Sequence, residues 1–210
     1  MSVSESALDH ARSRPGQRRF DVAVAPEPLL VVGIGGTTRN RSSTERSLRI
    51  ALSAAERLGA STVLLGAADL DLPMYAPERP ERTPKARRLI DVLRRSDGVI
   101  VASPGYHGTL SGLVKNALDY IEDMRDDNPP YLDGRAVGTI ACGQGWPGTI
   151  HTLTALRSVV HALRGWPTPM GAGINSAEAI SEKSQLQLEI VGQQVVEFAR
   201  ARAGACSARR

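Results

Sequence analysis

"LLVVGIGGTTRNRSSTERS" (residues 29–47) passes from an unbroken apolar run into a glycine pair and then into hydroxyl and arginine residues. The run suits a strand buried on both faces, because a strand with one wet face would alternate apolar and polar residues. Behind it, Leu48, Ala51, Leu52, Ala55 and Leu58 recur at helical spacing, and Gly59 closes the pattern. A buried strand, a short polar loop and a helix form the opening unit of a parallel α/β sheet.

The same unit returns along the chain. Apolar strand patterns are expected over 61–67, 97–103 and 136–142, with a weaker one over 168–173. Helical stripes are expected over 44–58, 84–96, 111–123, 148–163 and 182–201. The proline-rich 69–84 and the "DDNPPYLDGR" of 126–135 read as loops. The fold class is therefore α/β, a three-layer arrangement of a parallel sheet with helices on both faces. Five strands in about 170 residues favour the flavodoxin-like order 2-1-3-4-5 over a six-strand dinucleotide fold. In such sheets ligands bind beyond the strand C-termini, where the strand order reverses. That rule singles out the loops 34–43, 103–111 and 142–149.

Composition bounds the rest. The 210 residues carry a formal charge of +4, and Arg200, Arg202, Arg209 and Arg210 supply that excess from a stretch without acids. The remainder is neutral, so the basic balance does not describe a nucleic-acid-binding face. We expect one domain over 29–200, a flexible N-terminal extension over 1–28 and a disordered basic tail over 201–210. Cys142 and Cys206 form no disulfide framework, which suits a cytoplasmic setting. No apolar run has membrane-spanning length, and residues 1–28 lack a signal peptide's apolar segment. His10, His107, His151 and His161 have no metal-ligand spacing, and no paired carboxylates appear, so neither a metal site nor a catalytic acid–base pair is expected.

The first loop is not a complete dinucleotide fingerprint. Gly33 and Gly35 begin G-x-G-x-x-G, but Thr38 occupies the third glycine position. No Gly-Lys-Ser/Thr is present for a triphosphate. Thr37, Arg39, Ser42 and Thr44 instead supply hydroxyls and a guanidinium where a helix begins, an arrangement suited to a terminal phosphate. Ser42 with Glu45 reads equally as an S-x-x-E capping box. The second loop, with Pro104, Gly105, Tyr106, His107 and Gly108, offers backbone amides and a ring to a planar ligand. The third, with Gly143, Gln144, Gly145 and Trp146, offers close backbone approach and an aromatic surface. An anion hole beside a narrow slot fits a flat heteroaromatic with one phosphate, and FMN is the obvious candidate.

With these residues in view, the chain resembles the NAD(P)H-dependent FMN reductase family from about Leu29 to Gly173. "GGTTRNRSST" is similar to that family's phosphate loop, G-[ST]-x-R-x-x-[SG]-x-[NT]. "SPGYHGTLSGLVKNALDYI" is similar to its long S-P-x-Y-[NH]-[GS] motif, and "GQGWPGTIHTLTALRSVVHALRGWPTP" more loosely to its third loop and following helix. The resemblance implies that Thr37, Arg39, Ser42 and Thr44 hold the FMN phosphate. It implies that Pro104, Gly105, Tyr106, His107 and Gly108 line the isoalloxazine, with Gly143, Gln144 and Gly145 approaching from the third loop.

Hydride transfer from NADPH or NADH to the flavin would then need no catalytic side chain. A homodimer or homotetramer is implied, with a monooxygenase as possible recipient of reduced FMN. An FMN-retaining quinone, azo or nitro reductase is the alternative, and a non-enzymatic flavodoxin-like electron carrier is the alternative of another class. Arg79, Arg82, Lys85, Arg87 and Arg88 are candidates for a 2′-phosphate site, or else a solvated face. Arg46 is expected to face solvent, and Cys142 to pack as a small apolar residue.

Overall fold

The computed structural model describes residues 28–39 and 42–207. The expected extension over 1–28 therefore lies almost wholly outside the described residues. Strand β1 (Leu30–Gly35) is followed by α1 (Ser43–Arg57), β2 (Ser61–Leu65), the single turn α2 (Ala67–Leu70) and α3 (Pro84–Arg95). Then come β3 (Gly98–Tyr106), the two-residue β4 (Thr109–Leu110) and α4 (Gly112–Asp119), which tightens into a 3-10 helix over Tyr120–Met124. The chain continues through β5 (Ala136–Gly143), α5 (Trp146–Ala162), β6 (Trp166–Asn175) and α6 (Glu182–Ser207).

The strands order as β2-β1-β3-β5-β6, all parallel. This is the expected 2-1-3-4-5 arrangement, since β4 only folds back antiparallel on the end of β3. Sequence reading missed β4 because two residues carry no periodicity. The last helix runs to Ser207, so residues 201–207, expected as disordered tail, are helical. The alanines and arginines of that stretch favour continuation of a helix already nucleated. Residues 208–210 lie outside the described residues.

Both faces of the sheet are covered. On one, Val31, Ile100 and Ile140 pack against Leu48 and Leu52 of α1 and Leu188, Val191 and Val195 of α6. On the other, Val32, Val99, Val101 and Val137 meet Leu89 and Leu93 of α3, Val114 and Leu118 of α4, and Leu156 and Val160 of α5. Every residue of β5 is buried, as is β3 through Pro104. This explains why the central strands read as continuous apolar runs.

The long loop after α2 is pinned down by side chains. Asn116 of α4 accepts the Tyr75 N–H at 2.8 Å and donates to the carbonyls of Leu72 and Pro73 at 3.3 and 2.9 Å. The Tyr120 hydroxyl also donates to the Pro73 carbonyl, at 3.0 Å. Arg82 forms a fork on Asp123, at 2.7 and 2.9 Å, while its guanidinium sits 5.0 and 5.5 Å from the ring centres of Tyr75 and Tyr120. Hydrogen bonding to Asp123 drives the Arg82 pKa further up, so the fork is permanently charged.

Asn116→Ala should cost about 2 kcal/mol, because it strands the Tyr75 amide and the Leu72 carbonyl at a nearly buried position, while Tyr120 still holds the Pro73 carbonyl. Denaturant unfolding measures that loss. Limited proteolysis should then cut between Leu72 and Arg82 faster than in the wild type.

Candidate functional site

Helix α1 begins where β1 ends. Ser42 is its N-cap, with its Oγ accepting the Glu45 N–H at 3.2 Å. The capping box is only half formed, because the Glu45 carboxylate turns to Arg49, at 2.7 and 3.0 Å. Thr37 folds the preceding loop on itself, its hydroxyl accepting the Arg39 N–H at 3.2 Å. The amides of Ser43 and Thr44 belong to the first turn and have no carbonyl within the helix to bond. The Thr44 hydroxyl is only 1% exposed and, among the described residues, has no hydrogen-bond partner of ordinary length; its polar neighbour is the Cys142 thiol, a weak partner. A buried hydroxyl left in that state costs about 1–3 kcal/mol.

The second loop is a β-hairpin. Tyr106 pairs with Thr109, leaving His107 and Gly108 as a two-residue turn with φ of 51° and 87°. Two positive φ angles in succession match a type I′ turn, whose twist fits the flanking strands and which favours glycine. Ser103, fully buried, accepts the Ser111 N–H and donates to the Pro104 carbonyl, both at 2.9 Å. Ser111 in turn caps α4, accepting the Val114 N–H at 3.3 Å.

Helix α5 begins at Trp146, two residues before the expected start, because Pro147 is tolerated in a first turn. A β-carbon on Gly105 would stand 2.6 Å from Thr152 Oγ1, and one on Gly143 would stand 2.7 Å from Thr149 Oγ1. These two glycines let α5 settle against the ends of β3 and β5. Gly108 and Gly145 face open space instead.

The three loops meet around one cleft of about 480 Å³, within the usual range for small-molecule sites. Thr37, Arg39, Ser42 and Thr44 line it from the first loop, Pro104, Gly105 and Tyr106 from the second, and Gly143 and Gln144 from the third. His107, Gly108 and Gly145 do not line it. His107 and Gly108 are carried outward on the hairpin tip, and Gly145 caps α5. Trp146 borders a neighbouring groove with Ile150 and Gly173.

Four lining residues were not expected there: Ser43, Arg46, Cys142 and Ser176. Arg46 is exposed, as expected, and it also borders the cleft, standing one turn from Ser42 and Ser43 on the same helical face, a spacing the sequence does carry. Ser176 is brought in by tertiary pairing, its N–H donating to the Gly143 carbonyl at 2.7 Å. Cys142 is 2% exposed, with its Sγ 3.7 Å from Ser47 Oγ. Burial pushes its thiol pKa up, so it is a protonated wall of the cleft at neutral pH and a poor nucleophile.

None of the five candidate 2′-phosphate cations lines the cleft. Arg82 and Arg88 are tied to Asp123 and Asp69, and Arg87 donates to the Arg82 carbonyl at 2.6 Å. Lys115 pairs with Asp119 at 2.5 Å. Among the described residues, no group of three or more His, Cys, Asp or Glu is placed to hold a metal ion. No described helix is long and apolar enough to cross a membrane.

Residues 29–179 match the family model for NADPH-dependent FMN reductase. The chain belongs to that family. The motif resemblance of the three loops is thereby confirmed at the level of the family, a family of flavin-dependent oxidoreductases.

The chain is 30% identical to an NADPH azoreductase of Bacillus sp. (strain OY1-2) over 42% of its own length. That match spans about half of the relative, 47%. It is 26% identical to the FMN-dependent NADPH-azoreductase of Staphylococcus aureus (strain USA300), over 61% of this chain and 70% of that one. The fold is close to that of the flavoenzyme NAD(P)H:(acceptor) oxidoreductase from Paracoccus denitrificans, with a TM-score of 0.68 at 20% identity, covering 83% of this chain and 98% of that one.

The first-loop end of this cleft has the donors that the phosphate of FMN would require. An unpartnered buried hydroxyl, free first-turn amides and an arginine converge on an opening with no acid among its lining residues. Thr44→Val should leave the ligand-free protein as stable or up to about 1 kcal/mol more stable, because it deletes an unsatisfied polar atom. The same change should reduce the thermal stabilisation given by added FMN. Paired thermal melts with and without FMN measure both effects.

Proposed function

We propose that the protein is an NAD(P)H-dependent FMN reductase that seats the FMN phosphate on the α1 N-terminus. The observation carrying this reading is the Thr44 hydroxyl, buried where all three loops meet and, among the described residues, with no polar neighbour stronger than the Cys142 thiol. Thr44, Ser42 and Thr37 would donate to phosphate oxygens, with Arg39 adding a charge-assisted fork. The positive end of the helix dipole favours the anion further. Tyr106, about half exposed at the cleft edge, and the backbone of Pro104, Gly105, Gly143 and Gln144 would flank the ring system. His107, Gly108 and Gly145 reach the ring in this reading only through the two loops they terminate.

The chemistry supplied by bound FMN is hydride acceptance from the nicotinamide of NADPH or NADH, followed by electron delivery to an acceptor. The protein's own contribution is binding and orientation. Rigid strand ends hold the loops, and the lining is free of carboxylates, with Cys142 a neutral thiol, so no negative charge competes with the anion. No lining side chain is needed as acid or base. Family membership disfavours the non-enzymatic electron carrier.

A second reading has specific support in the names of the two relatives, both azoreductases. Here FMN stays bound and an azo compound or quinone takes the electrons. The proposal extends to a cytoplasmic homodimer or homotetramer, with a monooxygenase as recipient under the first reading. Two cysteines without a disulfide framework suit a reducing compartment.

One preparation separates the readings. A colourless protein that oxidises NADPH or NADH rapidly only with added FMN is the outcome expected of the first. A yellow protein that turns over an azo dye or quinone and ignores free FMN is the outcome expected of the second. In either case Arg39→Ala should weaken FMN binding by about tenfold, the worth of one hydrogen bond to a charged group. Equilibrium titration of flavin fluorescence checks it, and unchanged affinity would place the phosphate elsewhere.

A further inference from the structure

Arg46 lines the cleft but plays no part in the family phosphate motif, which ends at Thr44. It occupies the first turn of α1, the end where a positive charge opposes the helix dipole and destabilises the helix. The adjacent acid does not offset this, because Glu45 is committed to Arg49. Among the described residues no carboxylate forms an ion pair with Arg46. A cation without an ion pair among the described residues, at a helix start and lining the same cleft as the buried Thr44 hydroxyl, is an arrangement completed by an anion. A phosphate monoester carries a charge of about −1.5 to −2 at neutral pH, which Arg39 alone leaves partly unbalanced.

We propose that Arg46 is a second phosphate-recognising cation, and that it sets the preference of this cleft for a flavin with a 5′-phosphate over one without it. The inference rests on the phosphate-site reading above. Arg46 is exposed, so its attraction acts partly through water and is screened by salt. Its contribution is accordingly a specificity increment on top of the hydroxyls and Arg39.

The test compares FMN with riboflavin, the same ring system without the phosphate, by fluorescence titration of the flavin-free full-length chain. The variants are Arg46→Gln and Arg46→Lys, each first checked for a wild-type thermal transition without ligand. Arg46→Gln should weaken FMN about five- to tenfold, in the range of a charge-assisted hydrogen bond at a wet site. Riboflavin affinity should not change, and the loss of FMN affinity with added salt should become shallower. Arg46→Lys should recover part of the FMN preference, since it keeps the charge but not the fork.

FMN binding by Arg46→Gln within twofold of wild type would overturn the proposal. So would equal weakening of both flavins, which would make the side chain a part of the cleft wall. If wild type itself does not distinguish FMN from riboflavin, the phosphate-site reading fails as well. If wild type and Arg46→Gln discriminate alike while Arg39→Ala does not, only the role of Arg46 is lost.

Discussion

The placement of β3 between β1 and β5 is the contact on which the rest of the molecule depends. Register pairs run from Val31↔Gly98 to Gly35↔Ala102 on one side and from Gly98↔Ala136 to Pro104↔Cys142 on the other. These parallel ladders bring the ends of three strands to one edge of the sheet. Each strand then releases its chain into a different loop, and those loops have nowhere to converge except above that edge. The cleft is therefore a consequence of strand order before any side chain is considered.

Stability and binding demands are divided within the same short segments. Ser103, Ser111 and Asn116 belong to the longest sequence motif, yet their hydrogen bonds hold the hairpin, cap α4 and anchor the proline-rich loop. Gly105 and Gly143 likewise admit the threonines of α5. Thr44 is the opposite case, a buried hydroxyl whose satisfaction the fold leaves undone. Burial of a polar atom without a partner is unfavourable in the isolated chain. At the start of a helix, on a cleft that Arg39 and Arg46 also line, it would serve as a preorganised half of the proposed anion contact.

Much of this was legible beforehand because its signals are local. Apolar runs marked β1, β3 and β5, since both faces of those strands are buried. Helical spacing marked α1 and α3 within a residue of their observed ends. Glycine and hydroxyl residues at successive strand ends marked the loops that line the cleft, and nine of the twelve expected site residues do line it. The misses have a common cause. His107 and Gly108 were assigned from sequence adjacency, but a type I′ turn swings them away from their neighbours. Gly145 was likewise assigned from its neighbours, but the early start of α5 makes it the helix N-cap and turns the adjacent Trp146 toward the next groove.

By itself, then, the sequence determined the alternating α/β architecture, the strand order and the three loops that matter, because periodicity and turn chemistry act over a few residues. Tertiary structure alone decided which atoms in those loops remain free. The Ser42 oxygen accepts the cap bond while its O–H is left to donate, and Arg82 and Arg88 go to Asp123 and Asp69; among the described residues Arg46 forms no ion pair and Thr44 no hydrogen bond of ordinary length. That distinction depends on groups far apart in the chain competing for the same hydrogen bonds and charges, and only the folded arrangement settles the competition.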